Sequence, residues 1–146
     1  MRFAVRRDLP SICRVDPTLK SDQSRRDRIR EAIEERSCFV VDRTVPVAYA
    51  MMDYRFFGRA FVWMIYVALS HRRKGIGTEL LTALETRCLS GRIFTSTNAS
   101  NEPMQALLKK CGYVTSGAVL YLDENDLELF YSKIVKRGLD REIMGE

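Results

Sequence analysis

The period of the apolar residues changes several times along this chain, and each change predicts an element. Arg2 to Arg6 read as a short first strand. Asp8-Leu9-Pro10 reads as a helix start with Asp8 as its cap. Ser24-x-x-Asp27 resembles a capping box, and Ile29, Ala32 and Ile33 give a narrow apolar stripe behind it. Cys38 to Val41 and Val45 to Tyr54 are strands flanking the polar turn Asp42-Arg43-Thr44, so the pair reads as a hairpin. Phe56-Phe57-Gly58-Arg59 is a connecting turn with exposed-looking aromatics. Ala60 to Val67 is almost continuously apolar, which suits a strand buried on both faces.

Beyond Lys74 the period becomes helical. Ile76, Leu80, Leu84 and Cys88 are spaced by four, with Leu81 and Leu89 alongside, so one face of a helix runs from about Gly75 to Leu89 and stops at Gly91. Arg92 to Thr97 is a strand. A helix follows from Ser100-Asn101-Glu102-Pro103, with Pro103 in the permitted first turn, apolar positions Met104, Leu107, Leu108 and Cys111, and Gly112 at its end. Val114 to Leu122 and Leu127 to Val135 read as a final strand pair, and the polar tail after Lys136 is expected to be loose. The order β, α, α, β, β, β, α, β, α, β, β describes a mixed sheet with at least one strand–helix–strand crossover, and excludes a bundle or sandwich.

Composition narrows this only a little. With 146 residues, 46% hydrophobic and 29% charged, the chain fits one domain spanning 1–146. Cys13, Cys38, Cys88 and Cys111 are far apart and His71 is the only histidine, so no metal-ligand spacing is present. No leader or membrane-length apolar run is visible, and a reduced, cytoplasmic thiol set is the expectation. The net charge of +5 suits an anionic ligand and argues only weakly for nucleic acid. Arg25, Arg26, Arg28 and Arg30 are interleaved with Asp27, Glu31, Glu34 and Glu35 and read first as a solvated helix face.

The stretch from Ile65 to Leu84 carries the chemistry. A strand runs into a basic, glycine-containing turn and then into an amphipathic helix. The first peptide N–H groups of such a helix have no internal acceptor, and its dipole adds positive potential there. A pyrophosphate at this spot would meet backbone donors together with Arg72, Arg73 and Lys74, and Gly75 and Gly77 would let its oxygens approach the backbone. A dinucleotide fingerprint is excluded because Leu80 stands where its third glycine belongs, and a P-loop because no Gly-Lys-Ser/Thr ending occurs.

Arg72-Arg73-Lys74-Gly75-Ile76-Gly77 resembles the Arg/Gln-x-x-Gly-x-Gly/Ala signature of the GNAT N-acetyltransferases, with Val67 upstream and Leu80-Leu81 downstream in matching places. A second block, Asn101 to Tyr113, is similar to that family's later helix, with Asn101, Leu107, Gly112 and Tyr113 at matching positions. The resemblance implies the GNAT α+β fold, a central mixed, mostly antiparallel sheet with flanking helices and one splayed strand pair. It implies acetyl-CoA as co-substrate and direct attack of an amine on the thioester. Backbone groups near Ile65 and Val67 would hold the acetyl carbonyl and pantetheine amides. Arg72 to Gly77 (Arg73, Lys74, Gly75 and Ile76 included), with Thr78, would hold the pyrophosphate. Asn101 would contact the pantetheine or stabilise its own helix.

The sequence departs from the family pattern at two places. Leu108 occupies the position of the tyrosine that commonly protonates the leaving thiolate, and Val62-Trp63-Met64-Ile65 lacks the glutamate many members carry before the loop. Tyr66, Tyr113 and Asp53 are the candidates left for proton transfer, with a packing or surface role as the alternative for each. Asp53 and Tyr54, at the end of the preceding strand, lie near where substrate usually enters in that family and could be catalytic or surface residues, while Trp63, Phe56 and Phe57 could line an acceptor pocket or pack in the core or a dimer. Three readings stay open: an N-acetyltransferase acting on a primary amine of unknown identity, an acyl-CoA-binding module without transfer activity, and acetylation of a macromolecular amine such as a protein N-terminus or a charged tRNA. Without the tRNA-linked substrate no nucleic-acid or membrane partner is expected. A homodimer is compatible with the common symmetry of oligomers.

Overall fold

The computed structural model describes residues 1–136, so the tail after Lys136 lies outside the described residues. The strands are β1 (Arg2–Phe3), β2 (Cys38–Arg43), β3 (Val45–Phe56), β4 (Arg59–Val67), β5 (Arg92–Asn98), β6 (Val114–Asp123) and β7 (Asp126–Ile134). The helices are α1 (Leu9–Val15), α2 (Gln23–Glu34), α3 (Ile76–Arg87) and α4 (Glu102–Lys110). Their order along the chain is the expected one. The seven strands form one sheet in the order β1-β2-β3-β4-β5-β7-β6. β4 and β5 pair in parallel, while β1–β2, β2–β3, β5–β7 and β6–β7 are antiparallel. This is the mixed, mostly antiparallel α+β architecture, with α3 as the crossover between the parallel strands. No described helix is long and apolar enough to cross a membrane.

The chain divides into two compact units, one made of Met1–Met52 with Met64–Leu80, the other of Asp53–Trp63 with the chain from Leu81 onward. In the first unit the core cluster comprises Ala4, Ile12, Val15, Leu19, Ile29, Ala32, Ile33, Cys38, Val40 and Tyr49. The stripe foreseen on α2 is therefore the buried one. Its start differs from expectation: Asp22, not Ser24, caps the helix, accepting from Arg25 N at 2.8 Å. Aspartate caps as well as serine and comes first in the chain. Asp27 then lies inside the helix and takes Arg30 at 3.0 Å.

Asp8 also departs from its expected part. It stands before α1, but its carboxylate makes no capping bond to that helix and turns back to the short turn Arg6–Asp8 instead. It accepts both Arg2 Nη1 and Nη2, at 2.7 and 2.9 Å, and Val5 N at 2.8 Å. A bidentate guanidinium outcompetes a capping amide. β1 is correspondingly short, because the chain turns at Arg6–Asp8. The Arg2 hydrogen bonds hold the Asp8 carboxyl below its ordinary value, against the opposing effect of burial. A depressed folded-state value means that stability from this group is complete above the unfolded carboxyl's pKa, about 3.9, and is lost as pH falls through the lower folded value. Asp8→Asn is expected to lower the melting temperature at neutral pH and to flatten the steepest part of its acid limb. Melts of both proteins across the acid range measure this; parallel acid limbs would remove Asp8 from the account.

In the second unit β5 alternates cleanly, burying Ile93, Thr95 and Thr97, and it pairs with β7 over its whole length. Phe56 packs against Phe61, Phe94 and Phe130, with centroids 4.6, 5.5 and 5.8 Å away. Phe56 is thus a core ring rather than an exposed turn residue. Phe57, beside it in the turn, is 89% exposed. Phe57 and Gly58 both have positive φ, 51° and 71°, the shape a two-residue hairpin turn demands. β4 corrects a further expectation. Only Ala60, Phe61 and Val62 are buried, all three paired to β5; Arg59 is exposed, Trp63 is 47% exposed, and Met64 to Val67 are half-buried.

Candidate functional site

The basic loop lies in the first unit. After β4, a single turn over Leu69–His71 leads into exposed Arg72, Arg73, Lys74 and Gly75, and α3 begins at Ile76. Arg73 and Gly75 have left-handed backbone, φ 59° and 80°, on either side of Lys74. Alternating handedness in successive residues turns peptide N–H groups toward one concave side, which is an anion-binding shape. A β-carbon on Gly75 would meet nothing within 4 Å, so the space above the loop is open. The first helical hydrogen bond of α3 runs from Glu79 N to Gly75 O at 2.9 Å. The N–H groups ahead of Glu79 therefore precede the helix's own hydrogen-bond ladder. Glu79 itself would repel an anion here. Arg43, from the end of β2, pairs with it at 2.6 Å and offsets that charge.

Arg72 anchors the loop to its own strand. Its Nε donates to Val67 O at 3.0 Å, and its guanidinium covers the Tyr66 ring at 5.2 Å. The Val67 carbonyl expected to serve a pantetheine amide thus already accepts one donor and keeps one lone pair. Tyr66 stacks on Tyr49, with centroids 6.2 Å apart. Tyr49 is fully buried and donates to Asp16 Oδ2 at 2.5 Å. Asp16, also fully buried, takes Thr18 N and Oγ1 on its other oxygen and Arg25 Nη2 at 3.1 Å. Arg25 reaches on to Met64 Sδ at 2.9 Å. Burial, with the Asp16 hydrogen bond and charge behind it, pushes the Tyr49 phenol well above its ordinary value, so it stays protonated and donating. A row of contacts Asp16–Tyr49–Tyr66–Arg72 therefore runs from the end of α1 to the basic loop. Ile65 and Thr78 are half-buried beside the loop in sequence.

The remaining candidates belong to the second unit. Asn101 caps α4, its side-chain oxygen accepting from Met104 N at 3.2 Å. Leu108 is fully buried. Tyr113 is also buried, its hydroxyl has no hydrogen-bond partner among the described residues, and burial together with the nearby Glu85 raises its pKa far above the usual phenol range. Asp53 Oδ1 accepts the Trp63 indole N–H at 2.7 Å and Arg55 N at 3.0 Å. Tyr54 closes a turn, donating to Arg87 O and accepting from Leu89 N. Within this unit β4 and β5 pair at Ala60↔Ile93, Phe61↔Phe94 and Val62↔Thr95, and Thr95 Oγ1 also donates to Val62 O.

Residues 6–113 match the acetyltransferase (GNAT) family. A GNAT-family acetyltransferase of known structure from Bacillus cereus is 32% identical to this chain, covering 92% of this chain and 95% of its own with a TM-score of 0.84. The chain belongs to the GNAT acetyltransferase family. The family's general chemistry, acetyl transfer from acetyl-CoA, comes with that membership. The fold is shared more widely. A protein from Salmonella typhimurium solved with its cofactor acetyl-CoA is 18% identical, with 92% of each chain covered and a TM-score of 0.72. The ribosomal-protein-S18-alanine N-acetyltransferase of Escherichia coli is 17% identical, with 91% of each chain covered and a TM-score of 0.72. No curated protein matches the sequence.

Two features of this GNAT chain were not foreseen from sequence. The Arg43–Glu79 pair joins residues 36 apart, and only the acidic residue in the first turn of α3 hinted that a cation must stand near. The Asp16–Tyr49–Arg25 cluster had a weaker signal still, the turn-forming dipeptide Asp16-Pro17.

Proposed function

We propose that this protein transfers an acetyl group from acetyl-CoA to a primary amine by direct attack. The neutral amine nitrogen bonds to the thioester carbon, the carbon–sulfur bond breaks, the amine proton goes to base or water, and the sulfur leaves as thiolate to be protonated. The observation that carries this reading is the loop Arg72–Gly77. Exposed cations, two left-handed residues and a helix start together fit a pyrophosphate. Arg72, Arg73 and Lys74 supply charge, and the backbone of Gly75, Ile76, Gly77 and Thr78 supplies donors. Ile65 and Val67 supply strand backbone for the acyl-pantetheine arm, and Asn101 acts by fixing the start of α4.

Tyr66 is the proton donor we assign to the thiolate. It is half-buried, lies between Ile65 and Val67, and its ring is fixed on one side by Tyr49 and on the other by Arg72. Tyr113 is sealed in the interior and Asp53 is engaged by Trp63, so neither carries a proton in this reading. Tyr66→Phe keeps the ring and its stacking, and is expected to lower kcat by about 10²-fold with little change in KM for acetyl-CoA. A raised KM with kcat intact would make Tyr66 a support for Arg72 and nothing more. The four free cysteines favour a reducing compartment, the cytoplasm.

The test is incubation with acetyl-CoA and a panel of primary amines, following free CoA thiol and acetylated product in equal amounts. The buried Leu108, which has no proton to give, favours a second reading, an acyl-CoA-binding module without transfer. Saturable acetyl-CoA binding with no thiol release on any amine would establish it.

A further inference from the structure

Arg25, on α2, is held at one edge of its guanidinium and not at the other. Nη1 donates to Thr18 Oγ1 at 2.9 Å, and Nη2 approaches Asp16 Oδ2 at 3.1 Å. The remaining edge presents the Nε–H and the second Nη2–H side by side. Nε is buried with no hydrogen-bond partner among the described residues, and Nη2 faces the Met64 sulfur at 2.9 Å. A thioether is a weak acceptor, whereas a guanidinium edge matches the two oxygens of a carboxylate. A buried donor without an acceptor costs free energy, and native proteins hold few of them. The ion pair with Asp16 explains the first edge and gives no reason for the second. Met64 is half-buried, and its unbranched side chain is able to swing aside for a better acceptor.

We infer that this edge of Arg25 binds a carboxylate carried by the acceptor amine, which takes the place of the Met64 sulfur. The inference rests on the acetyl transfer proposed above and names its acceptor class, a primary amine with a carboxylate a short aliphatic chain away. Position supports it. Met64 and Tyr66 are alternate residues of β4, so they share one face of the strand and stand about 6–7 Å apart along it. Both pack against the core cluster of the first unit. Tyr66 is the group assigned to the leaving thiolate, so a carboxylate at Met64 is set back from the reacting amine by about one strand repeat. Charge agrees. From Arg14 to Arg28 the chain carries five basic side chains and three acidic ones, an excess that favours an anion. The Asp16 carboxylate also accepts from Tyr49 and Thr18, so its negative charge is shared among three partners. A neutral amide oxygen is the poorer occupant, because it brings no charge to the guanidinium and no second oxygen to its edge.

Acetylation rates on γ-aminobutyrate, its amide and butylamine test the inference, since the three share one carbon skeleton. The wild type is expected to favour γ-aminobutyrate over both others in kcat/KM by about 10–100-fold, the usual worth of a charge-assisted pair. Arg25→Lys keeps a cation for Asp16 and loses the planar edge, so this preference should fall by about tenfold or more. Met64→Leu removes the sulfur at nearly constant volume, and the preference should persist or rise, which a merely structural contact between Arg25 and Met64 would not produce. Melting temperature with γ-aminobutyrate and CoA present gives a readout independent of transfer. It is expected to rise above that with CoA alone in the wild type and not in Arg25→Lys. Such a rise without acetylated product would overturn the transfer reading and keep the carboxylate site. A wild type that treats the three amines alike and shows no rise overturns the inference, and so does a preference that Arg25→Lys leaves intact.

Discussion

Acetyl-CoA at about 100 times its dissociation constant should raise the melting temperature of the wild-type protein by roughly 5–10 °C, and Gly77→Glu should abolish the shift. The size follows from linkage. Such a concentration stabilises the native state by about 2.7 kcal/mol, and a chain of this length gains about 2–4 °C per kcal/mol. Gly77 lies in the first turn of α3, and a glutamate there puts a side chain and a negative charge where the pyrophosphate would bind. Helix propensity and charge at a helix start both favour the same substitution. Glutamate is a better helix former than glycine by about 0.5–1 kcal/mol, and an acidic side chain is favoured at a helix start. The unliganded variant should therefore melt at or slightly above the wild type, which separates lost binding from lost structure. A wild type that does not respond would remove the loop from acetyl-CoA binding. A variant that still responds would place the cofactor elsewhere on the chain.

Local chemistry was legible in the sequence wherever a single element decides it. The α3 stripe and the Asn101 cap with Pro103 behind it appear where pattern and propensity put them, whereas β2 runs on through Asp42 and Arg43 and leaves Thr44 alone at the turn expected over all three. Errors arose where two local solutions compete. Asp8 has a capping geometry within reach and yields it to Arg2, a partner that only the β1–β2 strand arrangement brings close to Asp42 as well. The apolar run of β4 reads as a uniformly buried strand, yet only Ala60, Phe61 and Val62 are buried, because which residues of an apolar strand find cover is set by packing and not by hydropathy. β6 carries the same lesson in reverse. It reads as one of a final strand pair without any sign of its place in the sheet, and the fold sets it at the edge. The loop of the candidate site was readable because its function rests on backbone and formal charge. Its supports, Arg43 on Glu79 and Tyr49 under Tyr66, were not, because each joins distant segments through side chains of ordinary type.

The largest loss of stability is expected at one of those supports. Asp16→Ala should destabilise the protein by about 3–5 kcal/mol, the usual consequence of removing one member of a buried, hydrogen-bonded ion pair. Asp16 is fully buried, so its deletion strands three groups at once. The Tyr49 hydroxyl loses its acceptor, Thr18 loses the oxygen that fixes its turn, and the Arg25 guanidinium, only 21% exposed, loses its counter-charge while its Nε has no partner among the described residues. Tyr49→Phe removes a single hydrogen bond and leaves the carboxylate with Thr18 and Arg25. It should cost about 1–3 kcal/mol. Urea unfolding of both variants and of the double variant would apportion the cluster, since residues sharing one network do not contribute additively. The two substitutions should also differ in their effect on the ligand. Tyr49→Phe keeps the ring on which Tyr66 rests, and through Tyr66 the platform under Arg72, so the acetyl-CoA-induced rise in melting temperature should persist at nearly full size. Asp16→Ala frees that ring to move, and the rise should shrink. Equal rises in both variants would mean that Arg72 is held by Val67 O alone and that the buried carboxylate serves the fold without reaching the loop.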